Sequence, residues 1–314
     1  MKKFAIGLAV GVIIGFVAGT MLGVRWLIAS ARKMSQKPPI ELILPNDPIR
    51  TPEELSKFLD NQPYEIGFFA KNLNTGRTVE RSADRSVCLA SIVKVFCLTE
   101  LYRQKHEGSL DLSKKIDVPN HGNLSLSDVA DLMIGQSDNA ATQALTEFLG
   151  RDNVNHIPVL LGLKHMSDNI LPDEGTFRQT LDVRISGGRN AAIGLPQHGT
   201  ARDMAGYFEL LLNKKIISEV VSEDLLDFFA KHPKPFSTHY ANTYNFAGKG
   251  GNLLWTCPPK HYSMMGWSLL VTKPDNEHIV LCVWGEWFPQ NMPPEKQSDF
   301  LKFVTDSALR ILES

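Results

Sequence analysis

The chain has 314 residues, 43% of them hydrophobic, which is enough to bury the core of one large domain. Its formal net charge is -1 at pH 7 and no Lys/Arg run is interleaved with aromatic residues, so the sequence gives no reason to expect a nucleic acid as a partner. The four cysteines lack paired CxxC spacing and the nine histidines lack HExxH spacing, and we therefore expect no metal site and no cofactor.

The N-terminal segment is uncharged from residue 4 to residue 24 and follows Lys2 and Lys3. That length can span a bilayer, and it exceeds the apolar core of a typical cleaved signal peptide. We predict that residues 1–31 form a single transmembrane helix that acts as a membrane anchor or uncleaved signal. A glycine at every fourth residue places a smooth stripe on one face of this helix, which favours self-association over the ordinary glycine enrichment of membrane helices. The stripe consists of Gly7, Gly11, Gly15, Gly19 and Gly23.

The segment after the anchor contains four prolines and no helical period, so residues 32–50 are predicted to be a linker. The folded domain is predicted to cover residues 51–314. It opens with "TPEE" at 51–54, which has a capping threonine, proline at the first helical position and glutamate three residues after the cap. This pattern predicts a helix that runs to about Asn61.

The remaining elements form a strand hairpin, a block of helices, three strands and a closing helix. The hairpin is predicted at 64–73 and 77–83, the helices at 91–107, 124–133, 139–149, 200–213, 217–231 and 295–312, and the late strands at 244–254, 262–272 and 278–286. This order predicts one α+β domain whose sheet is built from both ends of the chain.

The stretch "CLASIVKVFCL", residues 88–98, places Ser91 and Lys94 one helical turn apart in an otherwise apolar run. Residues three apart on a helix share a face, so the two side chains can come within hydrogen-bond reach. Burial penalises an ammonium group, lowers the lysine pKa and makes a neutral amine available to accept the serine proton. The same stretch is also compatible with a lysine that extends to the surface, which is the commoner outcome for an isolated motif.

Two further polar stretches occur later in the chain. In "GQSDNAATQAL", residues 135–145, Ser137, Asp138 and Asn139 can either cap a helix or supply a second hydroxyl and a carboxamide to a site. In "GKGGN", residues 248–252, a lysine lies on a predicted strand beside glycines that would let a substrate approach the backbone. The Walker pattern is absent, so this glycine-rich stretch is not a phosphate loop.

Together and in this order, Ser-x-x-Lys, Ser-Asp-Asn and Lys-x-Gly resemble the three signatures of the penicillin-recognising serine hydrolases, and "SDNAATQAL" is most similar to the class A β-lactamase branch. The resemblance covers roughly residues 51–312. It implies a five-stranded antiparallel sheet covered by helices, with the site between the sheet edge and a helical region.

The resemblance also implies a role for each matched residue. Ser91 would be the acylated nucleophile, Lys94 its proton acceptor, and Ser137 the group that passes the proton to the leaving group. Lys249 would supply positive charge for a substrate carboxylate. The substrate-binding residues would be Asn139, which holds the acyl amide, and Gly250, Gly251 and Asn252; the N–H groups of Ser91 and Asn252 would form the oxyanion hole. Asp138 is expected to be structural.

The sequence departs from this family at two points. The residue after the third-motif lysine is Gly250, where the family has a threonine or serine whose hydroxyl helps to bind a carboxylate. The Glu-x-x-Leu-Asn loop of the class A enzymes is also missing. Between 149 and 200 the only glutamate is Glu174, which we name as a possible deacylation base.

Two alternatives remain open at this stage. Serine-dependent glutaminases, which have a similar fold, share "SxxKVF" and a glycine-rich late motif, although Ser-Asp-Asn points away from them; an esterase on the same fold belongs to the same alternative. A membrane-tethered binding module that has lost turnover would fit the two departures. A disulfide between Cys88 and Cys257, which flank the first and third motifs, is a further hypothesis.

We predict a serine hydrolase of the class A β-lactamase-like family that acts through an acyl-enzyme on β-lactam or cell-wall peptide amides. The predicted location is the cytoplasmic membrane, with the catalytic domain on the periplasmic or extracellular side. The expected partners are a small-molecule or peptide amide substrate and the membrane itself.

Overall fold

A computed structural model describes residues 42–173, 197–232, 236–257, 260–287 and 292–313. Within these ranges, none of the helices has the length and apolar run that a bilayer crossing requires. The predicted anchor at 1–31, with its glycine stripe, lies outside the described residues.

Side chains at the helix starts explain where several helices begin. In α1 (Pro52–Asp60), the Thr51 hydroxyl accepts the Glu54 N–H and the Glu54 carboxylate accepts the Thr51 N–H, which is the predicted capping box. Ser125 caps the helix predicted at 124–133 by accepting the Asp128 N–H. Each cap satisfies an amide that a helix leaves without an internal partner, so the chain switches to helix at a defined residue.

The other elements follow in chain order. They are β1 (Glu65–Asn72), β2 (Thr78–Arg81), β3 (Val87–Cys88), a 3-10 helix (Ala90–Val93), α2 (Lys94–His106), β4 (Lys115–Val118), β5 (Gly122–Ser125), α3 (Leu126–Asp131), a π-helical turn (Leu132–Gln136), α4 (Asn139–Leu149), α5 (Arg151–Leu160), β6 (His198–Gly199), α6 (Ala201–Leu212), α7 (Glu219–Lys231), β7 (Asn245–Cys257), β8 (Lys260–Thr272), β9 (His278–Trp287) and α8 (Pro294–Glu313).

The main sheet has five strands in the order β2-β1-β9-β8-β7, and every neighbouring pair is antiparallel. This confirms the predicted α+β class and the five-stranded sheet built from both ends of the chain. The central strand β9 is buried on both faces, which explains why its sequence is an almost continuous apolar run. The third polar motif lies on β7, at an edge of the sheet.

Each face of the sheet packs against a separate hydrophobic core. One core joins the sheet to α2, α3, α4, α6 and α7, with Phe96 and Phe208 among its fully buried side chains. The other core joins the sheet to α1 and α8, with Leu55 and Phe300 among its members. The first two polar motifs belong to the helices on the first face, so the motifs meet where that helical layer reaches β7.

The structure adds the short strand pairs β3–β6 and β4–β5, which were not predicted, and it differs from the prediction within the helical block. The predicted helix at 91–107 begins as a 3-10 helix, and Ala90 before it has a φ of 45°, so the chain turns sharply at this point. The helix after Ser125 widens into the π-helical turn instead of running on. The helix α5 was not predicted, because Gly150 before it and Pro158 within it both disfavour helix.

Candidate active site

The first motif lies between a short strand and a long helix. β3 pairs with β6, the chain turns at Ala90, and the 3-10 helix then carries Ser91. The Lys94 N–H donates to the Ser91 carbonyl, which fixes the two residues on one turn. Ser91 is partly exposed, whereas the Lys94 side chain is only 3% exposed. The lysine is therefore buried, as the flanking apolar residues predict, and does not extend to the surface.

The buried amine of Lys94 is surrounded by oxygen acceptors from the second motif. Its Nζ atom donates to the Ser137 carbonyl at 2.6 Å and to Asn139 Oδ1 at 2.8 Å. The Asp138 carbonyl at 3.3 Å and the Ser137 hydroxyl at 3.4 Å lie at the edge of hydrogen-bond range. A buried amine is tolerated only when hydrogen-bond acceptors compensate the lost hydration. The second motif supplies these acceptors and so makes the burial of Lys94 possible.

The second motif is a turn that joins the π-helical turn to α4. Ser137 has the left-handed conformation, with φ 60° and ψ 31°, which is uncommon for a residue other than glycine. Asp138 then caps α4 by accepting the Ala141 N–H at 2.7 Å, and it also contacts His121 Nε2 at 3.1 Å. The Ala141 N–H holds the pKa of Asp138 below its ordinary value, and the His121 contact adds to this effect. These contacts agree with a structural role for Asp138.

The third motif reaches the same turn from the sheet. Lys249 is 1% exposed, and its Nζ atom donates to the Ser137 hydroxyl at 2.9 Å and to the Gly250 carbonyl at 2.7 Å. The Ser137 hydroxyl therefore lies between two buried lysine amines. A serine hydroxyl has one proton and two lone pairs, so it can accept from a lysine and still donate to another group.

Gly251 brings the edge strand against the backbone of the first motif. A Cβ atom at position 251 would lie 2.8 Å from the Ser91 nitrogen, 2.8 Å from the Leu89 carbonyl oxygen and 2.9 Å from the Ile92 nitrogen. The close packing of β7 against the 3-10 helix therefore requires glycine here, and the predicted contact of Gly251 with a substrate stays a prediction. Asn252 follows it on β7 and is exposed.

The structure thus brings Ser91, Lys94, Ser137 and Asn139 together with Lys249 and its neighbours on β7. Their roles in the reaction stay predictions. Glu174 lies outside the described residues, as does the side chain of Cys257, so the proposed deacylation base and disulfide stay predictions as well. No sequence motif pointed to His121, which lies in the turn between β4 and β5 and contacts Asp138 17 residues later in the chain.

A partly exposed serine one turn from a buried lysine, with a second serine and a second lysine at the lysine amine, defines a class of nucleophilic serine hydrolases. The model of the β-lactamase enzyme family matches residues 50–254, which is well over half of the chain. The chain belongs to the β-lactamase enzyme family and is a serine hydrolase. No curated protein matches the sequence.

Solved structures with the same fold come from β-lactamases and penicillin-binding proteins. A β-lactamase from Sphaerobacter thermophilus is 20% identical, with a TM-score of 0.63, over 83% of this chain and 96% of its own. PBP-A is 19% identical, with a TM-score of 0.65, over 85% of this chain and 98% of its own. A class A β-lactamase from Mycobacterium abscessus is 18% identical, with a TM-score of 0.65, over 84% of this chain and 99% of its own. At these identities the similarity establishes the shared fold.

Proposed function

We propose that the protein cleaves β-lactam or cell-wall peptide amides through a covalent acyl-enzyme on Ser91. The observation that carries this proposal is the chain of hydrogen bonds from Lys94 through Ser137 to Lys249, beside Ser91. The structure of a PBP-A mutant as an acyl-enzyme with penicillin G, on the same fold, supports β-lactams as the first substrates to test.

In the first step, Ser91 attacks the amide carbonyl while its proton moves to Lys94. A new C–O bond forms, and the carbonyl oxygen takes up negative charge beside the Ser91 and Asn252 N–H groups. The acceptor must be a neutral amine. Such an amine keeps two N–H groups, and Lys94 makes two short hydrogen bonds, to the Ser137 carbonyl and Asn139 Oδ1. The neutral form therefore preserves both bonds and leaves a lone pair for the serine proton.

In the second step, the C–N bond breaks and the leaving nitrogen takes a proton from Ser137. Ser137 recovers its proton from Lys94, whose Nζ atom lies 3.4 Å from the Ser137 hydroxyl. Asn139 uses its Oδ1 atom on Lys94, so its amide nitrogen is left to donate to the acyl carbonyl of the substrate. Lys249 stabilises negative charge on the Ser137 oxygen during the transfer.

Water or another acceptor then attacks the ester carbonyl and returns the Ser91 hydroxyl. The rate of this step decides between a β-lactamase, which releases the acyl group rapidly, and a peptidase or binding protein, which retains it. An esterase or glutaminase on this fold is the alternative for a protein that penicillins do not acylate.

Incubation with a fluorescent penicillin, followed by intact-mass measurement over time, tests the proposal. We expect a mass increase equal to one penicillin, absent from Ser91→Ala and retained by the control Ser127→Ala, whose serine is exposed on α3. A persistent adduct would identify a peptidase or binding protein, and rapid loss with product release would identify a β-lactamase. Failure of penicillins, amides and esters alike to acylate the protein would refute the proposal.

The location of the domain is a separate proposal. Cell-wall amides lie outside the cytoplasmic membrane, so a hydrolase for them must be exported, and residues 1–31 supply an apolar segment for this purpose. Protease treatment of cells with a permeabilised outer layer should digest the domain while it spares a cytoplasmic marker. A domain that stays protected would contradict export.

A further inference from the structure

The turn that carries the second motif combines two uncommon backbone conformations. It begins with the π-helical turn (Leu132–Gln136), and Ser137 after it has a φ of 60°. Both conformations are sparsely populated and persist where the surrounding structure holds them. We call residues 132–139 the Ser137 turn, and its position depends on the groups that contact it.

The buried side of the Ser137 turn is held by groups that take part in the proposed reaction. Lys94 donates to the Ser137 carbonyl at 2.6 Å and to Asn139 Oδ1 at 2.8 Å, and Lys249 donates to the Ser137 hydroxyl at 2.9 Å. In the proposed mechanism Lys94 gains and loses a proton, so the number of N–H groups that it offers changes during each cycle. A contact outside the proton path would hold the turn equally at every stage.

His121 makes such a contact. It lies in the turn between β4 and β5, and its N–H closes that turn by donating to the Val118 carbonyl at 2.9 Å. Its Nε2 atom lies 3.1 Å from Oδ2 of Asp138, the residue between Ser137 and Asn139. The lowered pKa of Asp138 keeps this carboxylate ionised at neutral pH. An ionised carboxylate only accepts hydrogen bonds, so His121 Nε2 is the donor.

His232 supports the other end of the Ser137 turn. It follows the last residue of α7, its ring stacks on that of Phe228 with centroids 4.6 Å apart, and its Nδ1 atom lies 3.0 Å from the Phe228 carbonyl. Its Nε2 atom lies 3.3 Å from Oδ1 of Asp131, which directly precedes the turn. A Cβ atom at Gly135 would lie 3.2 Å from His232 Cδ2, so the ring packs directly against the backbone of the turn.

The two histidines border one open cleft beside the Ser137 turn. The cleft has a volume of about 610 Å³, and its lining includes both histidines together with Gly135 and Gln136. The histidines therefore contact the turn from the cleft, whereas the lysine amines contact it from the buried side.

We propose that His121 and His232 are positioning residues that hold the Ser137 hydroxyl in place for proton delivery to the leaving group. This inference rests on the proposed acyl-enzyme mechanism, because it assigns the histidines to the step in which Ser137 protonates the leaving nitrogen. Each histidine acts through the Ser137 turn, His121 by way of Asp138 and His232 by way of Asp131 and Gly135.

The test compares two substrates that differ in their need for the Ser137 proton. Penicillin G has an amide nitrogen as its leaving group, whereas a phenylacetylglycyl thioester, which shares its phenylacetylamino group, releases a thiolate that leaves without a proton. The second-order rate constant for acylation of Ser91 is followed by β-lactam ring opening and by thiol release. A smaller folded fraction lowers both rates equally, so the penicillin-to-thioester ratio reports positioning and not stability.

Leucine variants remove each contact, and a glutamine variant restores one. We expect His121→Leu and His232→Leu each to lower the penicillin-to-thioester ratio about fivefold, equivalent to about 1 kcal/mol, the upper range for a partly exposed ion pair. His121→Gln keeps an amide N–H near the position of Nε2 and should recover most of the loss. His165→Leu is the matched control, because His165 Nδ1 is paired with Asp203 Oδ2 at 3.4 Å on α6, a helix that carries none of the three motifs.

The outcomes separate this inference from the proposed function. An unchanged ratio in either leucine variant, including an equal loss with both substrates, would overturn the role of that histidine and leave the acyl-enzyme intact. An equal shift in His165→Leu would overturn both roles, and a His121→Gln ratio no higher than that of His121→Leu would overturn the role of His121. Acylation of the wild-type protein by neither substrate would overturn the proposed function and this inference with it.

Discussion

At the scale of single residues, the chemistry depends on how two lysines and two serines share protons. Lys94 and Lys249 are both almost completely buried, and their amines meet at the Ser137 hydroxyl. Two ammonium groups this close would repel each other in a medium that also penalises charge. The arrangement therefore favours one neutral amine, and the proposed mechanism assigns that form to Lys94.

Replacing Lys94 should remove the proton acceptor. We expect Lys94→Met to lower the rate of Ser91 acylation by about 10²- to 10⁴-fold, the usual contribution of a general base. The acylation rate is measured by stopped-flow fluorescence with a labelled penicillin. Lys105→Met is the control, because Lys105 lies on the same helix but is paired with Asp224 at 2.6 Å away from the site. Equal rates in Lys94→Met and the control would exclude Lys94 as the base.

Replacing Ser137 should distinguish substrates by their leaving groups. Ser137→Gly keeps a residue that readily adopts a φ of 60°, so it removes the hydroxyl without backbone strain. We expect amide cleavage to fall by about 10²-fold, whereas a thioester should be affected much less because a thiolate leaves without a proton. Steady-state rates with an amide and a thioester of the same acyl group give the comparison. Equal losses for both would contradict proton delivery by Ser137.

At the scale of secondary-structure elements, the site depends on how one short turn is capped. Asp138 lies outside the proton path and organises the turn, because it joins the first turn of α4 to His121. We expect Asp138→Ala to lower the free energy of unfolding by about 1 kcal/mol at pH 7, the usual cost of losing an N-cap. Urea denaturation provides the measurement.

The Asp138 cap also predicts that the free energy of unfolding depends on pH. The pKa of Asp138 in the folded protein lies below the ordinary value of 3.8, so the ionised cap stabilises the fold above that value and its contribution is lost as the pH falls through the folded pKa. Asp138→Asn keeps an acceptor that does not titrate. The stability of wild type relative to Asp138→Asn should therefore decrease as the pH falls from about 5 through the folded pKa of Asp138. A difference that is the same at all pH values would contradict this role.

The residue at position 251 determines how closely β7 can approach the 3-10 helix, so adding a methyl group there should push the two apart. Gly251→Ala places a Cβ atom 2.8 Å from the Ser91 nitrogen, so the strand and the nucleophile must move apart. We expect acylation to fall by about 10²-fold, as for other small displacements of reacting groups. Gly206→Ala is the control, because the nearest atom to its Cβ lies 4.0 Å away and alanine favours helix. An unchanged rate in Gly251→Ala would show that this contact does not position Ser91.

The sequence predicted most elements because capping residues and alternating apolar residues are local signals. Ser125 and Thr51 mark helix starts in the sequence and do so in the structure. The 3-10 helix and the π-helical turn were missed because nothing local distinguishes them from α-helix. The three polar motifs could be assigned to one site only jointly, through their resemblance to a family. Phe236 carries no motif, and its position beside Gly250, where its ring would lie 3.3 Å from a Cβ atom, arises from the tertiary fold.

At the scale of the whole molecule, one hydrophobic core packs on each face of the sheet, and the edge strand β7 contributes to the candidate active site. Among the described residues, the buried members of both cores all lie after position 48, and Leu42 and Leu44 pack against the second core as partly buried residues. We expect protein that lacks residues 1–41 to fold and to react with penicillin at the same rate as the full chain. Circular dichroism and the acylation rate measure this. Loss of folding on truncation would extend the domain boundary toward the N-terminus.

The central claim is that three distant motifs form one nucleophilic site in which Ser91 carries the acyl group. Peptide mapping by mass spectrometry after a brief reaction with penicillin measures this most directly. We predict one adduct, on the peptide that contains Ser91, and its loss in Lys94→Met as well as in Ser91→Ala. An adduct on another residue, with Ser91 unmodified, would contradict the account.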